Sequence, residues 1–358
     1  MSPIELLDPN KKGAEAEGLE TRLRQLVIGQ DDAIATIVEA YQGFQAGMSP
    51  AGRPVGNFLF LGPTGSGKTR AVEATAEALL KDPRGVVKID CAEYQHGHEI
   101  AKLIGSPPGY LGHRETHALL SQEALNRHHT EELKLSLVLF DEIEKASDSL
   151  WNLLLGILDK GTLTLGDNRR VDFSQSMIFM TSNLGAAEMS DLAAPRLGFH
   201  VACSGDGASK TKLNGKITTT GIAAARRRFT PEFINRLDHI VVFRSLGTLE
   251  LRRIVDIELD LVQQRISAAA RDNLFSLAVT ESAKAFLVAE GADVRYGARP
   301  LKRAIERLLV HPLSNLMASR QIRPGDRIRV SHLQDSPSLL FSREAQVEQA
   351  WGIASQAA

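Results

Sequence analysis

The sequence predicts an α/β fold, a five-stranded parallel sheet flanked by helices, followed by a smaller, mainly helical domain with short strands. Three observations lead there. Five short apolar runs, at 58–61, 86–89, 135–140, 177–180 and 240–243, are nearly continuous rather than alternating, as in strands buried on both faces. Helical patterns such as 69–80 and 150–158 separate most of these runs, which is the βαβ signature of a parallel sheet. After Phe243 the pattern changes to long helical stretches at 249–270, 282–290 and 300–316, with short strand candidates only at 327–330 and 339–341.

In chain order, residues 1–18 are polar and read as a loosely ordered lead-in. Residues 19–244 read as the large α/β domain, 245–342 as the smaller domain, and 343–358 as a tail. A stretch at 185–225, rich in Gly, Ser, Thr and Lys and weakly periodic, reads as a long loop of the functional or disordered kind.

Composition excludes several classes of function. The 358 residues carry a formal net charge of -1 with 24% charged residues, so the basic surface that neutralises a nucleic-acid backbone is missing. Only Cys91 and Cys203 occur, without CxxC spacing, which fits a reducing compartment and neither a disulfide framework nor a zinc site. The first residues lack the basic and apolar regions of a secretion signal, and no apolar run approaches the ~20 residues of a membrane span. The expectation is a soluble, cytoplasmic protein that contacts neither nucleic acid nor membrane. His96, His98, His128 and His129 have no matching ligand group and read as solvated loop residues.

The residues just past the strand ends carry the chemistry. Gly62, Asp90, Asp141, Glu142, Thr181, Ser182 and Asn183 all follow a strand, and in an open parallel sheet the carboxyl edge is where ligands bind. Gly62, Pro63, Thr64, Gly65, Ser66, Gly67, Lys68 and Thr69 match G-x-x-x-x-G-K-[ST] between a strand and a helix. Glycines there allow successive backbone N–H groups to turn toward phosphate oxygens, and the helix start adds the positive end of its dipole. The pattern predicts ATP binding, with Lys68 on the β and γ phosphates and Thr69 on Mg²⁺. The run ending in Asp141 and Glu142 is a Walker B pattern, in which Asp141 holds the metal and Glu142 activates water. Asn183 is expected to sense the γ-phosphate or position that water.

With these residues in place, the sequence resembles the Clp family of AAA+ ATPases over roughly 26–330, most closely the second ATPase module of ClpB-type unfoldases, here as a single module. The resemblance rests on Val27-Ile28-Gly29-Gln30, Leu103-Ile-Gly-Ser-Pro-Pro-Gly-Tyr-Leu-Gly112, Phe229-Thr-Pro-Glu-Phe-Ile-Asn-Arg-Leu-Asp238 and Tyr296-Gly-Ala-Arg-Pro-Leu301. It implies a P-loop NTPase core with a helical lid domain. It also implies that Ile28 contacts adenine, that Arg236 is an arginine finger serving the neighbouring subunit's site, and that Arg299 couples the lid to nucleotide. A finger acting between subunits implies a homo-oligomeric ring, typically a hexamer. Gly109, Tyr110, Leu111 and Gly112 correspond to the pore loop that grips protein substrates, with Tyr110 displayed behind Pro107 and Pro108; 161–172 resembles the second pore loop. Leu197, Gly198 and Phe199 match the [LIV]-G-[FL] hook with which protease-coupled relatives dock to ClpP, the alternatives being a loop anchor or chance. No coiled-coil insertion for a partner chaperone is present, and 113–133 departs from the family pattern. Two functions follow: an ATP-driven unfoldase that threads polypeptide through a central pore, or a dedicated, nucleotide-switched disassembly factor or scaffold for one complex.

Overall fold

The computed structural model of the chain describes residues 7–106, 118–193, 207–269, 275–291, 297–334 and 336–344. The chain divides into two compact units, the first ending at Ser245. The first unit opens with helices α1 (Ala14–Leu26) and α2 (Asp31–Gln45), strand β1 (Gly56–Leu61), helix α3 (Lys68–Leu80) and strand β2 (Val86–Asp90). The short helices α4 (Ala101–Ile104) and α5 (Gln122–Asn126) lead to β3 (Ser136–Asp141), α6 (Asp148–Lys160) and the hairpin β4 (Thr162–Thr164) and β5 (Arg170–Asp172). Strand β6 (Ser176–Ser182), helices α7 (Ala186–Ala193), α8 (Gly207–Arg228) and α9 (Pro231–Ile234), and strand β7 (His239–Val242) complete it.

The five long strands form one parallel sheet in the order β2-β3-β6-β1-β7. Because successive side chains point to opposite faces, the three central strands feed two cores at once. Phe58, Phe60, Leu137, Leu139, Met177 and Phe179 meet α1, α2 and α3 on one face. Leu59, Leu61, Val138, Phe140, Ile178 and Met180 meet α6 and α8 on the other. Double-sided burial is the reason these runs are continuously apolar. The Phe58 ring stacks on Phe179 at 4.8 Å and is fully buried, so Phe58→Ala is expected to destabilise the first unit by about 3–5 kcal/mol, read as a lower urea midpoint in tryptophan fluorescence.

Two expectations about order are corrected. Helix α1 begins at Ala14, inside the lead-in expected to be loose over 1–18, because Ala16 and Leu19 are buried and Glu15 and Glu17 face the positive end of the helix dipole. The stretch expected as a loop over 185–225 contains α7 and most of α8. The hydroxyls of Thr218 and Thr219 donate back to the carbonyls of Asn214 and Gly215, while Ile217, Ala224 and Ala225 are buried. Packing and the Ala, Lys and Arg content outweigh the scattered Gly, Ser and Thr.

The stretch 161–172, expected only to resemble a second pore loop, holds the β4–β5 hairpin, with Leu163, Leu165, Val171 and Phe173 buried and Thr162, Thr164, Arg170 and Asp172 exposed.

The second unit comprises α10 (Thr248–Ala269), β8 (Ser276–Val279), α11 (Glu281–Gly291), α12 (Arg299–Ile305), α13 (His311–Ala318), β9 (Arg327–Ser331) and β10 (Leu340–Glu344). Its three strands form a small mixed sheet in the order β10-β9-β8, over a core that includes Val255, Leu287, Leu301, Leu309 and Val330. Strand β8 had no counterpart in the sequence reading; Ser276–Val279 is only partly buried and shows neither a continuous apolar run nor a clear alternation. Residues 345–358, most of the expected tail, lie outside the described residues.

Candidate nucleotide site

Strand order brings the site residues together. β1 ends at Leu61, β6 at Ser182 and β3 at Asp141, and β6 lies between the other two. The loop after β1 is therefore separated from the acidic end of β3 by the polar end of β6.

The loop from Gly62 to Thr69 is shaped by glycine. Gly62 has φ 150°, and a Cβ there would stand 2.6 Å from the Phe243 carbonyl oxygen, so only glycine passes the end of β7. Gly67, with φ 100°, caps α3 without any side-chain hydrogen bond, so the first N–H groups of the helix face the loop uncapped by a side chain. The buried Lys68 ammonium donates to the carbonyl oxygens of Gly62 at 2.7 Å and Pro63 at 3.0 Å and to Asn183 Oδ1 at 2.9 Å. Ser66 Oγ is buried with no hydrogen-bond partner among the described residues.

Asn183 stands between the two halves of the site. Its Oδ1 accepts from Lys68 and, at 3.5 Å, from Thr64 Oγ1; its Nδ2 donates to Glu142 Oε1 at 3.4 Å. Its backbone N–H donates to Glu144 Oε1 at 3.0 Å, which fixes where the amide begins. Thr69 Oγ1 donates to Asp141 Oδ1 at 3.4 Å, and Lys88 Nζ lies 3.2 Å from Asp141 Oδ2.

Thr181 does more than end a strand. Its hydroxyl donates to Asp141 and accepts the Glu142 backbone N–H at 3.1 Å, so one side chain holds the Asp141 carboxylate and the Glu142 backbone. Glu142 needs that support, because φ 57° places a non-glycine residue in the left-handed region at a cost of about 1–2 kcal/mol. The Glu142 carboxylate also pairs with Lys145, whose ammonium is held above its usual range by that hydrogen bond and then by the Glu142 charge. Burial, then the charges of Asp90, Asp141, Glu144 and Glu142, push the Cys91 thiol far up, so it is an inert core residue.

Sequence reading placed Thr181 at the ligand edge without a specific role and gave none to Lys88, Glu144 or Lys145. Lys88 carried a usable signal, as a charge two residues before Asp90 in an apolar strand, hence on the same face. Thr181 and Glu144 act through contacts with residues remote in sequence, whereas Lys145 pairs with Glu142 three residues away.

One expected site residue, Arg236, is not at this end of the sheet. The Arg236 carbonyl oxygen accepts from Asn57 Nδ2 at 3.1 Å, at the amino end of β1. Gly62 lies five residues further along, about 16 Å at the rise of a strand and more than twice the reach of an arginine side chain. The Arg236 guanidinium instead lies 3.2 Å from Glu232 and 3.7 Å from Asp159, with its Nε buried and without a partner among the described residues. Arg299 opens α12 in the second unit and is exposed. Ile28, half-buried between α1 and α2, precedes Gly29 and Gln30. Gly109, Tyr110, Leu111 and Gly112, and likewise Leu197, Gly198 and Phe199, lie outside the described residues.

Residues 53–240, more than half of the chain, match the family described as AAA domain (Cdc48 subfamily). The chain belongs to the AAA ATPases. Residues 246–330 match the C-terminal, D2-small domain of ClpB protein, which covers most of the second unit of this AAA ATPase. The chain is 40% identical over 312 residues to the chaperone protein ClpB of Bdellovibrio bacteriovorus, covering 87% of this chain and 33% of that protein. It is 37% identical over 314 residues to the ATP-dependent Clp protease ATP-binding subunit ClpC of Staphylococcus saprophyticus, covering 88% and 36%. Among solved structures it is similar to Hsp104 in a closed-state cryo-EM reconstruction with ATPγS and FITC-casein, with a TM-score of 0.74, 29% identity and coverage of 92% of this chain and 52% of that one. The chain thus spans about a third of the length of the curated relatives it matches.

The residues of this AAA ATPase fit a metal-bound nucleotide. The helix start is uncapped by any side chain, and a hydroxyl and a carboxylate, Thr69 and Asp141, stand side by side next to it. Among the described residues no group of three or more His, Cys, Asp or Glu is placed to hold a metal ion alone. A hard cation here would complete its shell from phosphate and water, as Mg²⁺ does in phosphoryl-transfer sites. No helix among the described residues is long and apolar enough to cross a membrane.

Proposed function

We propose that this chain is the motor module of a cytoplasmic, ATP-driven protein remodelling machine that works as a homo-oligomeric ring, a hexamer, and pulls polypeptide through its centre. The observation that carries the reading is the convergence of Lys68, Thr69, Asp141, Glu142 and Asn183 at one sheet edge, linked through the Asn183 amide. The N–H groups of 62–69 and the Lys68 ammonium bind the phosphates. Thr69 and Asp141 hold Mg²⁺, which when bound offsets phosphate charge. Glu142 takes a proton from the attacking water. Asn183, touching both Lys68 and Glu142, orients that water and registers the γ-phosphate.

The distance of Arg236 from its own chain's loop supports a role as finger for a neighbouring copy, and its family correspondence supports the ring. Arg299 is the counterpart in the lid. Ile28 lies in the segment proposed to contact adenine. Substrate handling is assigned to Gly109, Tyr110, Leu111 and Gly112, and the similarity to Hsp104 reconstructed with casein supports a polypeptide as cargo. Leu197, Gly198 and Phe199 are proposed to engage a ClpP-type protease, a reading favoured by similarity to a Clp protease ATP-binding subunit.

Threading is tested at Tyr110. Tyr110→Ala is expected to slow unfolding of a tagged fluorescent reporter at least about tenfold, equivalent to ~1.4 kcal/mol of lost grip, while ATP turnover stays within about twofold. Reporter unfolding at the unsubstituted rate would remove the threading model.

A further inference from the structure

One buried polar side chain beside the loop has no part in the chemistry described so far. Gln30 is 5% exposed and spends both amide hydrogens on backbone oxygens, donating to Ser66 at 2.9 Å and Arg244 at 3.0 Å. Its Oε1 accepts the Arg244 N–H at 3.1 Å. A glutamine amide has two hydrogens to give, and here neither is left over.

We propose that Gln30 is a positioning residue for the phosphate loop, holding the Ser66–Gly67 peptide so that the Gly67 N–H is presented to bound phosphate. The proposal rests on the nucleotide-binding reading above. A loop that receives an anion must turn its carbonyl oxygens away. Lys68 holds those of Gly62 and Pro63, and the Ala71 N–H holds that of Gly67 at 2.9 Å. The Ser66 oxygen is held by Gln30, which no residue within the loop replaces. In a planar trans peptide the C=O and the following N–H point in opposite directions, so tying down the Ser66 oxygen aims the Gly67 N–H the other way. The tie matters because Gly65 at φ 75° and Gly67 at φ 100° flank this segment, and glycine puts little steric resistance against a flip of the peptide plane. Gln30 supplies from outside the constraint that the loop's own composition gives up.

The same amide joins the loop to the end of β7. Asp32 Oδ2 lies 2.7 Å from Arg244 Nη2, so the start of α2 holds this residue by its side chain as well as its backbone. Arg244 immediately precedes Ser245, where the first unit ends.

The test is fluorescent ATP binding, with Mg²⁺, to the full chain carrying Gln30→Met or Gln30→Glu. Met keeps the length and removes both donors; Glu keeps the acceptor facing the Arg244 N–H but sets a carboxylate against two carbonyls. Met therefore remains informative if the buried charge of Glu unfolds the chain. Each folded variant is expected to bind the probe about tenfold more weakly or worse, the usual consequence of leaving buried backbone groups unpaired. Hydrogen exchange supplies a readout that a packing role would not move: nucleotide should protect the 62–69 peptide in the unsubstituted chain and much less in Gln30→Met. Unchanged affinity and unchanged protection in Gln30→Met, with or without a lower melting temperature, would overturn the proposal and leave Gln30 a plain buried hydrogen-bonding residue. Failure of the unsubstituted chain to bind the probe would instead bring down the nucleotide-binding reading, and this proposal with it.

Discussion

Glu142→Gln is expected to lower ATP turnover by about 10²–10⁴-fold while leaving ATP binding intact. The two side chains have nearly the same shape, and the backbone N–H that Thr181 anchors is untouched by the change. The unusual backbone conformation at this position therefore persists. What is lost is the carboxylate that accepts a proton, together with the exposed pair to Lys145, worth at most about 1 kcal/mol. Turnover, compared with equilibrium binding of the same nucleotide, separates these effects. Because nucleotide stays bound, the variant should also retain protein substrate, and a pull-down with it would identify the client. Unchanged turnover would remove Glu142 from the mechanism.

Arg236→Ala is expected to reduce turnover of the assembled protein by about 10³–10⁵-fold, the effect of losing an arginine finger in other P-loop enzymes. The fold should tolerate the change. Asn57 holds the Arg236 backbone oxygen rather than its side chain, and the partners Glu232 and Asp159 are exposed enough to be solvated without it. Mixing decides whether the finger acts between copies. Arg236→Ala chains keep Glu142, and Glu142→Gln chains keep Arg236, so a ring containing both has some sites with each part supplied by a different chain. Activity in the mixture that exceeds either variant alone is the expected result; additive residual activity would place the finger's action within one chain and refute the shared site.

The difference between these two residues also marks where sequence reading was strong. Gly62 to Thr69 and the pair Asp141 and Glu142 are contiguous motifs whose chemistry depends on local geometry, a strand end followed by a turn. They are legible because the requirements are local: backbone that only glycine adopts, and a cation and a hydroxyl at the first turn of a helix. The three central strands were legible for a related reason, since burial on two faces leaves a run with no polar alternation. Helix α8 was not legible, because Gly, Ser and Thr interrupt its helix-favouring Ala, Lys and Arg and blur the apolar period that buries Ile217, Ala224 and Ala225. The contribution of Thr181 was equally hidden, since in sequence it is a polar residue at a strand end.

By itself the sequence determined the phosphate loop, the acidic strand end, the parallel α/β architecture and the family pattern that runs through both units. Tertiary structure alone decided the relations among these parts. Placing β6 between β1 and β3 sets Asn183 between Lys68 and Glu142, and pairing the entry to β7 with the start of β1 holds Arg236 at the opposite end from the nucleotide loop. Gln30 reaches across from α2 to a loop 36 residues later and a strand end 214 residues later. The physical reason is one of range. Motifs record what a few neighbouring residues must do, whereas strand order is set by burying two faces of a sheet at once, a sum over contacts between residues distant in the chain.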